Sequence, residues 1–240
     1  IRIETAPLTG TEKIPAFLGV DIGSISTNVV VIDNEGRVLA RRYLMTAGRP
    51  ILAVQRGIAE VGDEIGDRVE ILGVGTTGSG RYLIGDLIGA DVIKNEITAH
   101  ATGATFFDKR VDTIFEIGGQ DSKYISLENG AVVDFTMNKV CAAGTGSFLE
   151  EQAEKLGISI KNEFSKLALC SRNPCHLGER CTVFMESDLN HAQQRGMEKE
   201  DLVSGLCYSI VYNYLNKVVE DRKIGDVIFF QGGTAYNRGM

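Results

Sequence analysis

Residues 16–45, "AFLGVDIGSISTNVVVIDNEGRVLARRYLM", decide the fold. Apolar runs at 17–22 and 29–32 read as buried strands, and Asn34-Glu35-Gly36 as the tight turn before a third strand. Short connections of this kind make antiparallel neighbours. Between the first two strands lies "DIGSISTN", residues 21–28, a glycine-containing loop with a carboxylate ahead of it. Working outward, Ile51, Val54, Ile58, Val61 and Ile65 recur at helical spacing and predict a helix over residues 50–65. A fourth strand, "VEILGVGTTGSG" from Val69, ends in a glycine-rich loop, and helices are expected near 81–87 and 95–107.

The same grammar restarts at Val111. "VDTIFEIGGQDSKYISLENGAVVDFTMN", residues 111–138, reads as strand, Gly-Gly turn, strand, Asn129-Gly130 turn, strand. Helices follow over most of 146–156, 162–169 and 198–221, with another possible from "TVFMESDLNHAQQ", before a last strand in "GDVIFFQGG". The two halves share a hairpin pattern rather than a repeated sequence. The expected organisation is therefore an α/β protein of two lobes, residues 14–109 and 110–240.

Composition narrows the function. A chain of 240 residues with 43% hydrophobic and 24% charged residues can bury a core in each lobe, and contains no apolar run of membrane-spanning length. Its net charge of −7 leaves no basic stripe for nucleic acid. Cysteines stand at 141, 170, 175, 181 and 207, an odd count that disfavours a disulfide framework and leaves metal, redox or plain burial open. The cytoplasm is the expected location. The chain opens at "IRIETAPLTG" and stops at "FFQGGTAYNRGM", inside a strand-turn-helix unit, so it is expected to be a module of a longer polypeptide with the C-terminal end of its fold cut short.

Three glycine-containing loops each follow a strand: "DIGSISTN" at Asp21, "EIGGQDSK" at Glu116 and "FQGGTAYN" at Phe230. One such loop is a common tight turn; three in this order are a stronger sign. Their backbone N–H groups and hydroxyls suit phosphates, and the carboxylates suit hydrated Mg²⁺. None matches the Walker or dinucleotide fingerprints. The set resembles the actin, sugar-kinase and heat-shock-chaperone ATPase superfamily. That resemblance implies two ribonuclease-H-like lobes of the actin-like ATPase fold, with ATP clamped between two phosphate hairpins and an adenosine-contacting Gly-Gly turn.

Five motifs, one of them within the second loop, narrow the likeness. "VGTTGSGR", "NEITAHATGA", "IGGQDSK", "MNKVCAAGTGSFLE" and "CTVFMESD" together resemble the ATP-dependent activators of 2-hydroxyacyl-CoA dehydratases and benzoyl-CoA reductases. The resemblance implies a homodimer sharing one [4Fe-4S] cluster, with Cys141 and Cys181 of each copy as ligands. It implies ATP or ADP with Mg²⁺, a ferredoxin or flavodoxin as electron donor, and a partner dehydratase or reductase with its own iron–sulfur centre. Asp21, Gln120 and Asp121 are the candidate catalytic residues: the aspartates for Mg²⁺ and water, the uncharged Gln120 for orienting the attacking water. Candidate nucleotide contacts are Gly23, Ser24, Ser26 and Thr27 in the first hairpin, and Gly118, Gly119 and Lys123 in the second. Gly144, Thr145 and Gly146 follow Cys141, and Gly232, Gly233 and Asn237 form the adenosine motif.

Other residues read more plainly. Cys207 falls on the apolar face of a long helix and reads as a small core residue. Cys170 and Cys175 in "LCSRNPCHLGERC" are either loop residues or, with His176 and Cys181, a zinc site. His100 reads as structural, His191 as surface, and "EEQAEK" as a solvated helix face. The chain departs from the resemblance at Asn28, where relatives often carry lysine, and at Glu116, where they often carry aspartate. Two rival functions stand beside the activator: a small-molecule kinase of the same superfamily, in which the cysteine pair has no role, and a nucleotide-dependent sensing or assembly module.

Overall fold

The computed structural model describes residues 4–138, 144–178 and 182–240. The chain forms two compact units, Ile1–His100 and Ala101–Met240.

The first unit is a five-stranded sheet: β1 (Ile14–Ile22), β2 (Ser26–Asp33), β3 (Val38–Met45), β4 (Val69–Gly78) and β5 (Val92–Ile93), in the order β3-β2-β1-β4-β5. The hairpin-linked β1, β2 and β3 are antiparallel, while β4 and β5 join parallel after helical crossovers. Helix α1 (Pro50–Ile65) opens on proline, whose fixed φ and missing N–H suit a first helical turn. Its residues Val54, Val61 and Ile65 bury against Val20, Ile22, Val29 and Val31 of the sheet. Helix α2 (Arg81–Ile88) ends at Gly89 in the left-handed conformation, φ +66°. Helix α3 (Glu96–Phe107) is capped by Asn95, whose Oδ1 accepts the Thr98 N–H at 2.8 Å.

The second unit repeats the plan. Strands β6 (Thr113–Ile117), β7 (Ser122–Glu128), β8 (Ala131–Met137) and β9 (Ile228–Gln231) lie in the order β8-β7-β6-β9, the first three antiparallel and β9 parallel to β6. Asn129 and Gly130 turn β7 into β8 with φ of +51° and +80°, the Asn-Gly geometry of a tight hairpin. Helices α4 (Gly146–Lys155), α5 (Phe164–Cys170), α6 (Thr182–Gln194) and α7 (Lys199–Tyr214) accompany this sheet. Helix α7 passes directly into a single π turn, Leu215–Val219, where the sequence reads as one continuous helix. The two-residue β5 has no counterpart in the sequence reading.

The core of this unit gathers Phe148, Leu149, Phe164, Met185, Leu202, Leu206, Ile210 and Cys207. Cys207 is 2% exposed, and burial pushes its thiol from an ordinary 9.0 up to about 12. A raised folded-state value favours the neutral thiol. Its contribution to stability is therefore complete below the unfolded value and declines as pH climbs from there through the folded value. Iodoacetamide at mildly alkaline pH is expected to alkylate the exposed Cys170 and spare Cys207 until the chain is unfolded, as read by peptide mass mapping.

Candidate functional site

In the first unit β1 and β2 pair down to Ile22 and Thr27, which leaves a very short loop. The Gly23 N–H donates to the Ser26 carbonyl at 2.9 Å and closes it. Asp21 stands opposite Asn28, whose amide donates to Asp21 Oδ2 at 3.3 Å. Thr27 is buried with its hydroxyl 2.9 Å from that of Thr46, and Thr46 donates its hydroxyl to the Gly23 carbonyl at 2.8 Å. The Thr46 N–H also donates to the Ile25 carbonyl, so the start of the β3–α1 connection fixes both arms of the loop. The glycine-rich end of β4 packs behind Asp21. Gly78 has φ +86°, and a Cβ there would lie 2.4 Å from the Ile22 carbonyl oxygen and 2.6 Å from Asp21 Oδ1. No larger residue fits that approach.

The second hairpin has the same geometry. Ile117 pairs with Ser122, the Gly118 N–H donates to the Asp121 carbonyl at 2.9 Å, and Glu116 stands opposite Lys123. Here the pair is charged. Lys123 Nζ lies 3.1 Å from Glu116 Oε2 and 2.9 Å from Asp121 Oδ2. Glu116 and Lys123 are 5% and 3% exposed, whereas the Asp121 side chain is 43% exposed and Gln120 is exposed at the tip. The hairpin thus offers one buried ammonium between a buried carboxylate and one that reaches solvent. The Asn28 of the first hairpin therefore occupies the position that Lys123 fills in the second.

Two more of the glycine motifs converge on this hairpin within the second unit. At the head of α4 the Gly146 and Ser147 N–H groups donate to the Gly118 and Gly119 carbonyls, each at 2.8 Å. These two donors, which an isolated turn-and-helix would aim at an anion, are committed to the hairpin. Thr145 is fully buried, with its hydroxyl 3.2 Å from that of Ser147. After β9, Gly232 adopts φ +94°, and a Cβ there would lie 2.3 Å from the Ile117 carbonyl oxygen and 3.0 Å from Glu116 Oε1. Thr234 donates its hydroxyl to that same Ile117 carbonyl at 3.0 Å. Gly233 follows in the short helical turn, and Asn237 closes it by donating its N–H to the Thr234 carbonyl at 2.9 Å.

Two short glycine hairpins, each with a carboxylate one residue before the end of its first strand, on duplicated sheets that share the order 3-2-1-4, form the framework of the actin-like ATPase fold. Residues 18–240 match the BadF/BadG/BcrA/BcrD ATPase family. The chain belongs to that family. It is 31% identical over 224 residues to the (R)-2-hydroxyglutaryl-CoA dehydratase activating ATPase of Acidaminococcus fermentans, covering 93% of this chain and 84% of that protein. It is 28% identical over 232 residues to one of the subunits of benzoyl-CoA reductase from Thauera aromatica, covering 92% and 79%. The solved activator of the 2-hydroxyisocaproyl-CoA dehydratase from Clostridium difficile with bound ADPNP superposes with a TM-score of 0.81 at 30% identity, covering 93% of this chain and 82% of that one.

Within the family reading, Cys141 and Cys181 lie outside the described residues. Among the described residues no group of three or more His, Cys, Asp or Glu is placed to hold a metal ion. Of the zinc site left open for Cys170, Cys175, His176 and Cys181, the last lies outside the described residues; Cys170 and His176 are exposed, while Cys175 is buried. Burial, with Asp188 and Asp201 nearby, raises the Cys175 thiol above its ordinary range. No helix among the described residues is long and apolar enough to cross a membrane.

Sequence reasoning missed three contributors. Thr46 braces the first hairpin from 19 or more residues away and carries no local signature, and Gly78, though inside the "VGTTGSGR" motif, gives no sign in sequence that it approaches Asp21. Tyr214 donates its buried hydroxyl to the Lys123 carbonyl at 2.8 Å. Burial, with Glu116 close by, pushes its phenol well above the ordinary range, so the hydroxyl stays a donor. A tyrosine among apolar helix residues whose OH needs a partner is the available clue.

Proposed function

We propose that this chain is an ATP-hydrolysing activator that delivers low-potential electrons to an iron–sulfur dehydratase or reductase, working as a homodimer whose two copies share one [4Fe-4S] cluster. The observation that carries the reading is the docking of α4 on the second hairpin through the Gly146 and Ser147 N–H groups, five and six residues beyond Cys141. A change at the hairpin is thereby passed to the helix that begins just after a candidate cluster ligand. The similarity to dehydratase activators and to a polypeptide of benzoyl-CoA reductase supports the partner class. The ADPNP held by a similar activator supports nucleotide binding.

In this reading the two hairpins, Gly23, Ser24, Ser26 and Thr27 with Gly118, Gly119 and Lys123, form the phosphate cradle, Gly23, Thr27 and Gly118 by fixing the shape of the turns, and Gly232, Gly233 and Asn237 contact the adenosine. Asp21 and Asp121 orient hydrated Mg²⁺, and the exposed Gln120 orients the attacking water. Gly144, Thr145 and Gly146 act as the joint between hairpin and helix. Cys141 and Cys181 of each copy complete the four thiolates that a [4Fe-4S] cluster requires, and the cluster supplies one-electron chemistry. A ferredoxin or flavodoxin is the proposed donor.

Phosphate transfer to water separates this reading from a kinase. Anaerobically prepared protein with MgATP is expected to release inorganic phosphate at a rate indifferent to added sugars and carboxylates. A phosphorylated acceptor detected by mass spectrometry would instead establish the kinase.

A further inference from the structure

Helix α7 carries a row of contacts that the nucleotide reading leaves unused. Asp201, Gly205, Ser209 and Asn213 recur every four residues and so share one face of the helix. The segment 171–178 is laid along that face. Asp201 Oδ1 accepts the Ser171 hydroxyl at 2.6 Å and the N–H groups of Arg172 and Asn173 at 3.2 and 3.0 Å. The Asp201 carbonyl accepts the Cys175 N–H at 2.8 Å. One turn on, Gly205 has no side chain to hold the segment away: a Cβ there would lie 2.3 Å from the Cys175 carbonyl oxygen. A further turn on, Ser209 donates its hydroxyl to the Gly178 carbonyl at 2.8 Å, and the Met185 sulfur of α6 lies beside Ser209 and Asn213.

The last residue of α7, Tyr214, is the one that holds the Lys123 carbonyl of the second hairpin. Ser209, Asn213 and Tyr214 are 2%, 1% and 2% exposed, beside the apolar cluster of this unit. Apolar residues would fill that space as well. Directional bonds instead fix the axial position of α7 against its neighbours, since a slip of one turn would take the Ser209 and Tyr214 hydroxyls away from the Gly178 and Lys123 carbonyls. The π turn that begins at Leu215 marks the same place, and such turns concentrate at functional positions.

We infer that α7 is the tie through which the state of the second phosphate hairpin reaches segment 171–178 and α6, with Tyr214 and Ser209 as positioning residues at its two attachments. The inference rests on the nucleotide reading above. It assigns a role to the cysteine-containing segment that precedes position 181: a strap whose placement follows the hairpin.

Hydrogen exchange of the full chain, with and without Mg-ADPNP, tests it. In the wild type the analogue is expected to change the exchange of amides 171–178 by about five-fold or more, the lower end of measured coupling between sites. Tyr214→Phe and Ser209→Ala, each removing one hydroxyl, are expected to keep the fold by circular dichroism and to lose the nucleotide dependence at saturating analogue, with analogue affinity retained in Ser209→Ala, whose hydroxyl bonds the Gly178 carbonyl and not the hairpin. A merely structural role would shift exchange equally in both states. Full nucleotide dependence in either folded variant overturns the inference, as does a wild type that binds the analogue without any change in 171–178. A wild type that binds no analogue sinks the ATPase reading instead, and the affinity measurement reports that separately.

Discussion

Lys123→Met is expected to lower stability to chemical denaturation by about 3–5 kcal/mol, because it removes a buried ammonium 3.1 Å from the buried Glu116 carboxylate. Adding Glu116→Gln in the same chain should restore most of that loss, since keeping a buried carboxylate that has lost an ion-pair partner, rather than the missing attraction, is what costs. ATP hydrolysis should not return with stability. It is expected to stay reduced about a hundred-fold or more, the effect of removing one preorganised donor from a developing anion. A double variant that is stable and fully active would assign Lys123 a structural role only. The two measurements together matter because a buried ion pair on a strand end is, on stability alone, as consistent with core architecture as with chemistry.

Cys141→Ser and Cys181→Ser are each expected to remove the iron. Wild-type protein prepared without oxygen should be brown, with about four irons for every two chains, and each variant colourless. Nucleotide affinity should be retained in both, because the hairpin contacts of Lys123, Gly118 and Gly146 do not pass through either thiol. Substitution of the exposed Cys170 or the buried Cys207 to serine should leave the iron count unchanged, with Cys207→Ser losing stability through burial of a hydroxyl in an apolar core. Iron that survives loss of Cys141 or Cys181 would contradict the shared-cluster assignment.

Much of the architecture is legible in the residues because it is local. Asn34-Glu35-Gly36 and Asn129-Gly130 announce hairpins through backbone conformations that few other residues adopt, and the apolar spacing from Ile51 to Ile65 announces α1. The hairpin loops at Asp21 and Glu116 stand out for the same reason: a strand, a carboxylate and glycine occur within a few residues. What sequence alone conceals is set by distance along the chain. Thr46 reaches Gly23, Gly232 reaches Ile117, and Tyr214 reaches Lys123 across 23, 115 and 91 positions respectively. The commitment of the Gly146 and Ser147 N–H groups to carbonyls is likewise invisible, since a Gly-Thr-Gly turn before a helix reads equally well as an anion cradle. Chain length also hides β5, whose two residues are too few for any alternation to register.

Whether hydrolysis in this protein drives an electron outward is read directly in one experiment. Protein reduced without oxygen and freed of excess reductant is mixed with an oxidised low-potential viologen, and viologen radical and inorganic phosphate are followed together. Radical is expected with MgATP, in step with phosphate release, and not with MgADP. Radical formation at the same rate without ATP, or phosphate release that proceeds without electron transfer, would contradict that coupling.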